Sequence, residues 1–280
     1  MKKLLAVSGG PDSMVMLDMF KNDPNVLVAH FNHGMRPSAD QDQTFVAQVA
    51  HQLQKPFFAT KVSLGANASE ATARFRRYEF LFQLATTHQA TIFTAHHLDD
   101  LVESVAINLL RGTGWRGLTP FTISGVVRPF LDPQILPSAP YTKRQILAYA
   151  AKHQVAFRID PTNYEDYYLR SRLRQKLQDF SDHQAIYELW QKQLTIKTDI
   201  DEVIQSALPT DRIHSRKIIA KLPRPIALEY LRAALAKAGL SATRPQLIDF
   251  LQAIKTYQPG KQFNLPGDRL VRLDSQTFTL

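Results

Sequence analysis

Leu4-Leu5-Ala6-Val7-Ser8-Gly9-Gly10-Pro11-Asp12-Ser13 is an apolar run that breaks into two glycines, a proline, an acid and two serines, and a helical pattern follows at once. This is how a buried strand hands over to an anion-binding loop. The glycines let the backbone turn sharply and approach a ligand closely. Ser8 and Ser13 supply hydroxyls, and the helix from Pro11 to about Phe20 would aim its first N–H groups at a bound anion. The same residues also make an ordinary strand-to-helix turn with a serine cap, so the rest of the chain has to decide.

Working outward, the first half alternates. Strands are expected at Lys3–Val7, Val26–His30, Phe57–Val62, Thr91–Thr94 and, stopped by Pro129, Val126–Arg128. Helices are expected at Ser38–Gln54, with Ser38 and Gln41 as a capping box, at Ser69–His88, at Leu98–Leu110 with Leu101, Val102, Val105, Leu109 and Leu110 inward, and at Thr142–His153 with Thr142 and Gln145 as a second box. Short strands between helices predict an α/β fold, a doubly wound and mostly parallel sheet with helices on both faces. Ligands then bind beyond the carboxyl ends of the strands. From about Tyr167 the pattern turns helical, with a long helix from Asp182 to Ser206. A smaller, mainly helical part follows, with helices at Pro225–Ala238 and from Arg244, and it ends in two alternating stretches around Pro266-Gly267-Asp268. The expected organisation is a catalytic domain over 1–180, a connecting helix over 181–208 and a small basic domain over 209–280.

Three further segments follow strand ends and would converge on one cleft. Thr94-Ala95-His96-His97-Leu98-Asp99-Asp100-Leu101-Val102-Glu103 puts three carboxylates in the first turns of a helix, with Asp100 and Glu103 on one face. Acids there also serve as plain caps. Two histidines and three carboxylates exceed what capping needs, and they suit Mg²⁺ or the ammonium of an amine substrate, with zinc a further option. His30-Phe31-Asn32-His33-Gly34-Met35-Arg36 follows the second strand. Ala73-Arg74-Phe75-Arg76-Arg77-Tyr78 sets arginines beside aromatics, as a solvated face or a nucleic-acid stripe. Gly112-Thr113-Gly114-Trp115-Arg116-Gly117 fits G-x-G-x-x-G but follows a helix, which removes the dinucleotide context. The Walker pattern G-x-x-x-x-G-K-[ST] is absent.

The first loop resembles the SGGxDS loop of the N-type ATP pyrophosphatases, the PP-loop superfamily, which cleave ATP to AMP and pyrophosphate while adenylating a substrate. The ordered set HFNHGMR, ATARFRRYEFL, TAHHLDDLVES, NLLRGTG, Arg128-Pro129-Phe130-Leu131, Asp160-Pro161-Thr162-Asn163 and Tyr168-Leu169-Arg170-Ser171-Arg172-Leu173-Arg174 is similar to that of the tRNA(Ile)-lysidine synthetases. Arg170-Ser171 stands where that family usually has arginine-asparagine. Many members also carry a further C-terminal domain after the alternating segment, where this sequence ends at Leu280. The resemblance implies ligation of free lysine to C2 of the wobble cytidine in a CAU-anticodon isoleucine tRNA, with ATP as co-substrate and Mg²⁺. It implies that Ser8, Gly9, Gly10, Pro11, Asp12 and Ser13 bind ATP and that Asp12 and Asp99 serve the metal. Asp100 and Glu103 then hold lysine, with Arg111, His33 and His96 near the chemistry. Arg36, Arg74, Arg77, Arg170, Arg172 and Arg174 hold tRNA.

Composition narrows the alternatives. The chain has 280 residues, 44% hydrophobic and 21% charged, and no cysteine. That excludes disulfides, thiolate metal sites and a sulfur relay within the chain, and it weighs against a thiolating or glutamine-dependent amidating pyrophosphatase. The net charge is +9, split as +2 over residues 1–204 and +7 over residues 205–280, where 12 basic face 5 acidic side chains. A basic second part points to a polyanion such as nucleic acid. No membrane span is expected, the apolar run at the N-terminus is too short for a leader, and the expected location is cytoplasmic. The sequence does not set the oligomeric state; the long helix offers an interface for a homodimer. A nucleic-acid-binding protein that kept the nucleotide fold without catalysis is the non-enzymatic alternative; the acids around Asp100 argue against it.

Overall fold

Five strands carry the first part of the chain: β1 (Lys2–Ala6), β2 (Val26–Asn32), β3 (Phe57–Lys61), β4 (Ala90–Phe93) and β5 (Val126–Val127). In this computed structural model, which describes residues 1–34, 38–62, 70–159, 173, 176–177, 180–265 and 267–280, they form one sheet in the order β3-β2-β1-β4-β5. Every neighbouring pair is parallel. The connecting helices are α1 (Pro11–Met19), α2 (Ala39–Gln52), α3 (Glu70–His88), α4 (Leu98–Leu110) and α5 (Lys143–Lys152).

Strand side chains alternate between two cores, as a pleat with a period of two requires. Leu4, Leu27, Ala29, Ile92 and Val126 pack with Tyr78 and Leu81 of α3. Leu5, Val26, Val28 and Phe93 pack with Met14 and Leu17 of α1, Val46 and Ala50 of α2, and Ile146 and Ala150 of α5. Helices therefore cover both faces, and the sheet is doubly wound as the alternation predicts. Leu4 and Leu5 are both fully buried, so truncating either to alanine would cost about 2–5 kcal/mol.

The strand order places the site. β1 lies between β2 and β4, so the chain runs outward from β1 in one direction and then returns to its other side. Such a switch point leaves a crevice beyond the carboxyl ends of β1 and β4. The glycine loop follows β1, and the acidic helix α4 follows β4.

The chain divides into two compact units, Met1–Gln193 and Leu194–Leu280. The boundary falls inside the long helix α6 (His183–Ala207). In the first unit Tyr187 donates its hydroxyl to the Leu131 carbonyl at 2.9 Å, and Trp190 donates Nε1–H to the Pro120 carbonyl at 3.1 Å. The second unit holds β6 (Ile213–Ser215), α7 (Arg216–Lys221), α8 (Arg224–Lys237), α9 (Arg244–Thr256), β7 (Gln262–Leu265), β8 (Arg269–Arg272) and β9 (Thr277–Thr279). Its core gathers Leu231, Leu235, Phe250, Ile254, Val271 and Phe278. The Arg216 guanidinium is buried and donates to the carbonyls of Ile254 at 2.6 Å, Asp274 at 3.0 Å and Tyr257. One basic residue of this unit is thus a staple rather than part of a polyanion surface.

Local capping signals fare unevenly. Thr142 with Gln145 and Thr243 with Gln246 form reciprocal boxes. Ser38 does not cap α2: its backbone is already helical and its side chain makes no capping bond, whereas an N-cap needs an extended backbone to aim its oxygen. Leu109 and Leu110 are 58% and 68% exposed, because α4 runs on past its last buried position, Ile107. The final stretch forms the β7–β8 hairpin and then a third strand, β9, which pairs antiparallel with the distant β6.

Candidate active site

The glycine loop is held open from within. Ser13 Oγ accepts from the Ser8 N–H at 3.1 Å, donates to the Gly10 carbonyl at 3.0 Å, and lies 3.1 Å from Ser8 Oγ. Gly9 sits at φ +94°, a conformation open to glycine at no steric cost. A Cβ there would also stand 3.4 Å from the Val46 side chain. Helix α1 opens with Pro11 behind Gly10, and no side chain caps its first N–H groups. Two contacts support the loop from elsewhere. His30 Nδ1 lies 2.8 Å from the Val7 carbonyl, and burial lowers its pKa, so it is a neutral donor. The Arg158 N–H donates to the Gly9 carbonyl at 2.9 Å, while its guanidinium reaches Asp42 at 2.5 Å and Gln41 at 2.8 Å.

His97, only 5% exposed, is the hub between loop and acidic helix. Its Nδ1 lies 3.4 Å from Asp99, and its Nε2 lies 3.5 Å from Asp100 and 3.8 Å from Asp12. These are ion-pair contacts; among the described residues Nδ1 makes no hydrogen bond. Burial opposes the imidazolium, but Asp100, Asp99 and Asp12 outweigh it and raise the pKa. For Asp99, burial pushes upward; His97, the Lys143 N–H and His183 prevail, and its pKa falls to about 2. Asp100 accepts the His97 N–H at 3.1 Å, closing the first turn of α4. Glu103 lies one turn on and is buried. Lys143, the first residue of α5, bridges the cluster: its Nζ is 2.5 Å from Asp12, and its N–H donates to Asp99 at 2.8 Å.

His96 faces another environment. Its Nδ1 lies 3.0 Å from Thr94 Oγ1 and its ring stands 4.7 Å from Phe121. Burial drives its pKa to about 3. Asp100 opposes that shift; Arg128, Arg77 and Arg74 reinforce it. Arg74 and Arg77 lie over the Tyr78 ring at 5.2 and 5.7 Å.

Loop, Asp12, Asp99, Asp100 and His97 are therefore brought together. His33 stands after β2, its ring 4.8 Å from Phe31. Arg111 is not brought to the cluster: it caps the far end of α4, about 16 Å along the axis from Asp100 at 1.5 Å per residue. Arg36, Arg170, Arg172 and Arg174 lie outside the described residues. Lys143, Arg158 and the partition of the two histidines escaped sequence reasoning. The box Thr142/Gln145 locates Lys143 at a helix start but says nothing of its partners. Asp12 and Asp99 are hard oxygen donors of the kind that hold Mg²⁺ together with substrate phosphates. Among the described residues no group of three or more His, Asp or Glu is arranged to hold a metal alone. No helix among them is long and apolar enough to cross a membrane.

Residues 1–180 match the model of the PP-loop domain family. A tRNA(Ile)-lysidine synthase of Chlorobaculum tepidum is 35% identical over 66% of this chain and 60% of its own length. That of Bacillus subtilis is 30% identical over 72% of this chain and 46% of its own. The bifunctional protein TilS/HprT of Listeria monocytogenes is 32% identical over 78% of this chain and 35% of its own length. The chain thus spans between about a third and three fifths of these relatives. Among solved structures, the U34-tRNA thiolase NcsA of Methanococcus maripaludis, with its [4Fe-4S] cluster, superposes with a TM-score of 0.54 at 15% identity, over 70% of this chain and 71% of that one. That likeness concerns the fold.

Proposed function

We propose that this chain, which belongs to the PP-loop domain family, activates the wobble cytidine of a CAU-anticodon isoleucine tRNA with ATP and joins it to free lysine. The observation that carries the proposal is the meeting of the glycine loop with Asp12, Asp99 and Asp100 around His97 at the switch point of the sheet. The lysidine synthases among its relatives support the choice of substrate.

In the first step cytidine O2 attacks the α-phosphate of ATP, and pyrophosphate leaves. Phosphoryl transfer is mostly positioning and charge stabilisation. The N–H groups of the loop and of the first turn of α1 would hold the phosphates, with the Ser8 and Ser13 hydroxyls fixing the loop's shape. Asp12 and Asp99 would hold Mg²⁺, which supplies charge neutralisation when bound. Lys143, which reaches Asp12, would share the charge-balancing role with Arg111. In the second step the ε-amine of lysine attacks C2, and AMP leaves. That amine must shed a proton, which needs an acceptor at hand. Asp100 and Glu103 would grip the lysine cation and orient it. His96, held neutral by burial, is available to hydrogen-bond near the reacting base, and His33 stands at the rim after β2.

Arg36, Arg74, Arg77, Arg170, Arg172 and Arg174, with the basic second unit, would contact tRNA phosphates. Binding should then weaken steeply with salt. The test is label transfer from radioactive lysine to transcripts of the CAU-anticodon isoleucine tRNA and of methionine tRNA. Transfer to the first that requires ATP supports the reading. ATP- and tRNA-dependent pyrophosphate release without lysine transfer would reassign the chain to another PP-loop tRNA modification, amidating or thiolating.

A further inference from the structure

Arg128 follows β5 and is 8% exposed, an unusual depth for an arginine without a carboxylate partner. Its Nη1 donates to the Val126 carbonyl at 3.0 Å. Its Nε and Nη2 are buried and, among the described residues, have no hydrogen-bond partner. Those two atoms form one edge of the guanidinium, the pair of parallel donors that matches a carboxylate bidentately. The edge is held in place: the guanidinium carbon lies 5.3 Å over the Phe121 ring, and the same ring stands 4.7 Å from His96. Phe121 adopts φ +65°, rare for a bulky residue, and such strain persists only where its surroundings enforce it. The Tyr78 hydroxyl lies beside Arg128, oriented outside hydrogen-bonding geometry. Arg74 also acts on Arg128 and, with Arg77, adds positive charge at His96. Leaving buried charged donors unmatched is costly, so this edge calls for an anion.

The neighbourhood indicates which anion. The Phe121 ring that carries the Arg128 guanidinium also stands against His96, and the acids of α4 begin three residues after His96 with Asp99 and Asp100, so cationic and anionic groups flank one aromatic patch. A free amino acid carries both charges within a few bonds. A tRNA phosphodiester is flanked by two riboses and fits a buried fork poorly. We infer that the Nε/Nη2 edge of Arg128 binds the α-carboxylate of the amino-acid substrate, opposite the acids of α4. This rests on the lysine reading above and deepens it: the site selects a zwitterionic amino acid rather than any primary amine.

The test compares lysine with lysinamide, which keeps the ε-amine and replaces the carboxylate by a neutral amide. Both are offered to the full chain with ATP and the tRNA transcript, and kcat/KM is measured for each. The wild type should prefer lysine by about 10- to 100-fold, the value of a charge-assisted bidentate contact. Arg128→Gln should bring the ratio close to one by raising KM for lysine, whatever the absolute rate. Arg128→Lys, which keeps charge and loses the fork, should give an intermediate ratio and serves if the glutamine variant folds poorly. A ratio that stays at its wild-type value in both variants overturns the inference, since a structural role lowers both substrates in proportion. A raised KM for tRNA with the ratio intact overturns it in favour of a phosphate contact. Failure of the underlying reading looks different: the wild type would release pyrophosphate with tRNA yet transfer neither lysine nor lysinamide.

Discussion

Two adjacent histidines at the end of β4 occupy opposite worlds. His97 sits among Asp12, Asp99 and Asp100 and is pulled toward the charged form. His96 sits against Phe121 under the influence of three arginines and is driven by burial to the neutral form, with a pKa of about 3. The backbone turns one ring toward Asp12 behind the glycine loop and the other toward Phe121. The difference teaches that adjacent residues divide the crevice into an acidic half around His97 and an aromatic half around His96; on the proposed function the first serves the phosphates and the second the amino-acid nucleophile. Asp100, which touches His97 and acts on His96, is the hinge between them.

The sharpest way to break this comparison is to separate the two steps. Glu103→Gln should raise the lysine requirement by about 10- to 100-fold, the cost of removing one charged partner, while tRNA-dependent pyrophosphate release persists. Unchanged lysine dependence in a titration would remove Glu103 from the substrate. Next in size, His97→Gln leaves three carboxylates facing one another without their central cation. It should destabilise the first unit by up to about 3–5 kcal/mol, the range for breaking a buried pair, read from urea unfolding near pH 6.

The titration of the two rings should run in opposite directions. His96 has a folded-state pKa far below the ordinary value, so between pH 6.5 and about 3 the unfolded chain binds a proton that the folded chain refuses. Stability should fall on acidification through that window with a slope contribution of about 1.4 kcal/mol per pH unit. His97 has a raised pKa. Its contribution is complete below about pH 6.5 and is lost as pH rises through the folded-state value. Asp99, lowered to about 2, contributes above about pH 4 and loses that on acidification toward 2. His96→Asn should flatten the acid limb from pH 6.5 downward, and His97→Gln the neutral limb; identical profiles for both variants would refute the partition. The smallest effect belongs to Thr142→Ala, which removes the cap that starts α5 and thereby seats Lys143 on Asp99. A loss of about 1 kcal/mol is expected in thermal unfolding.

Much of this was legible because it is local. The loop from Ser8 to Ser13, the acids on one helix face and the cap at Thr142 are spacing statements, and the alternation predicted the sheet. What was hidden depends on contacts across the chain. Lys143 meets Asp12 over 131 residues, Arg158 meets Gly9, and β9 meets β6; no local pattern encodes those pairings. Arg128 stands in a recognisable segment, but its burial and its unmatched edge follow from where β5 and Phe121 come to lie. Arg111 shows the converse. It follows the acids closely in sequence, yet a rigid helix carries it away from them.

The most direct test of the two-halves account measures pyrophosphate release and lysine transfer in parallel in Asp12→Asn and Glu103→Gln, with the isoleucine tRNA transcript and Mg-ATP. The account predicts that Asp12→Asn loses both and that Glu103→Gln keeps the first and needs about 10- to 100-fold more lysine for the second. Parallel loss of both activities in both variants would contradict it.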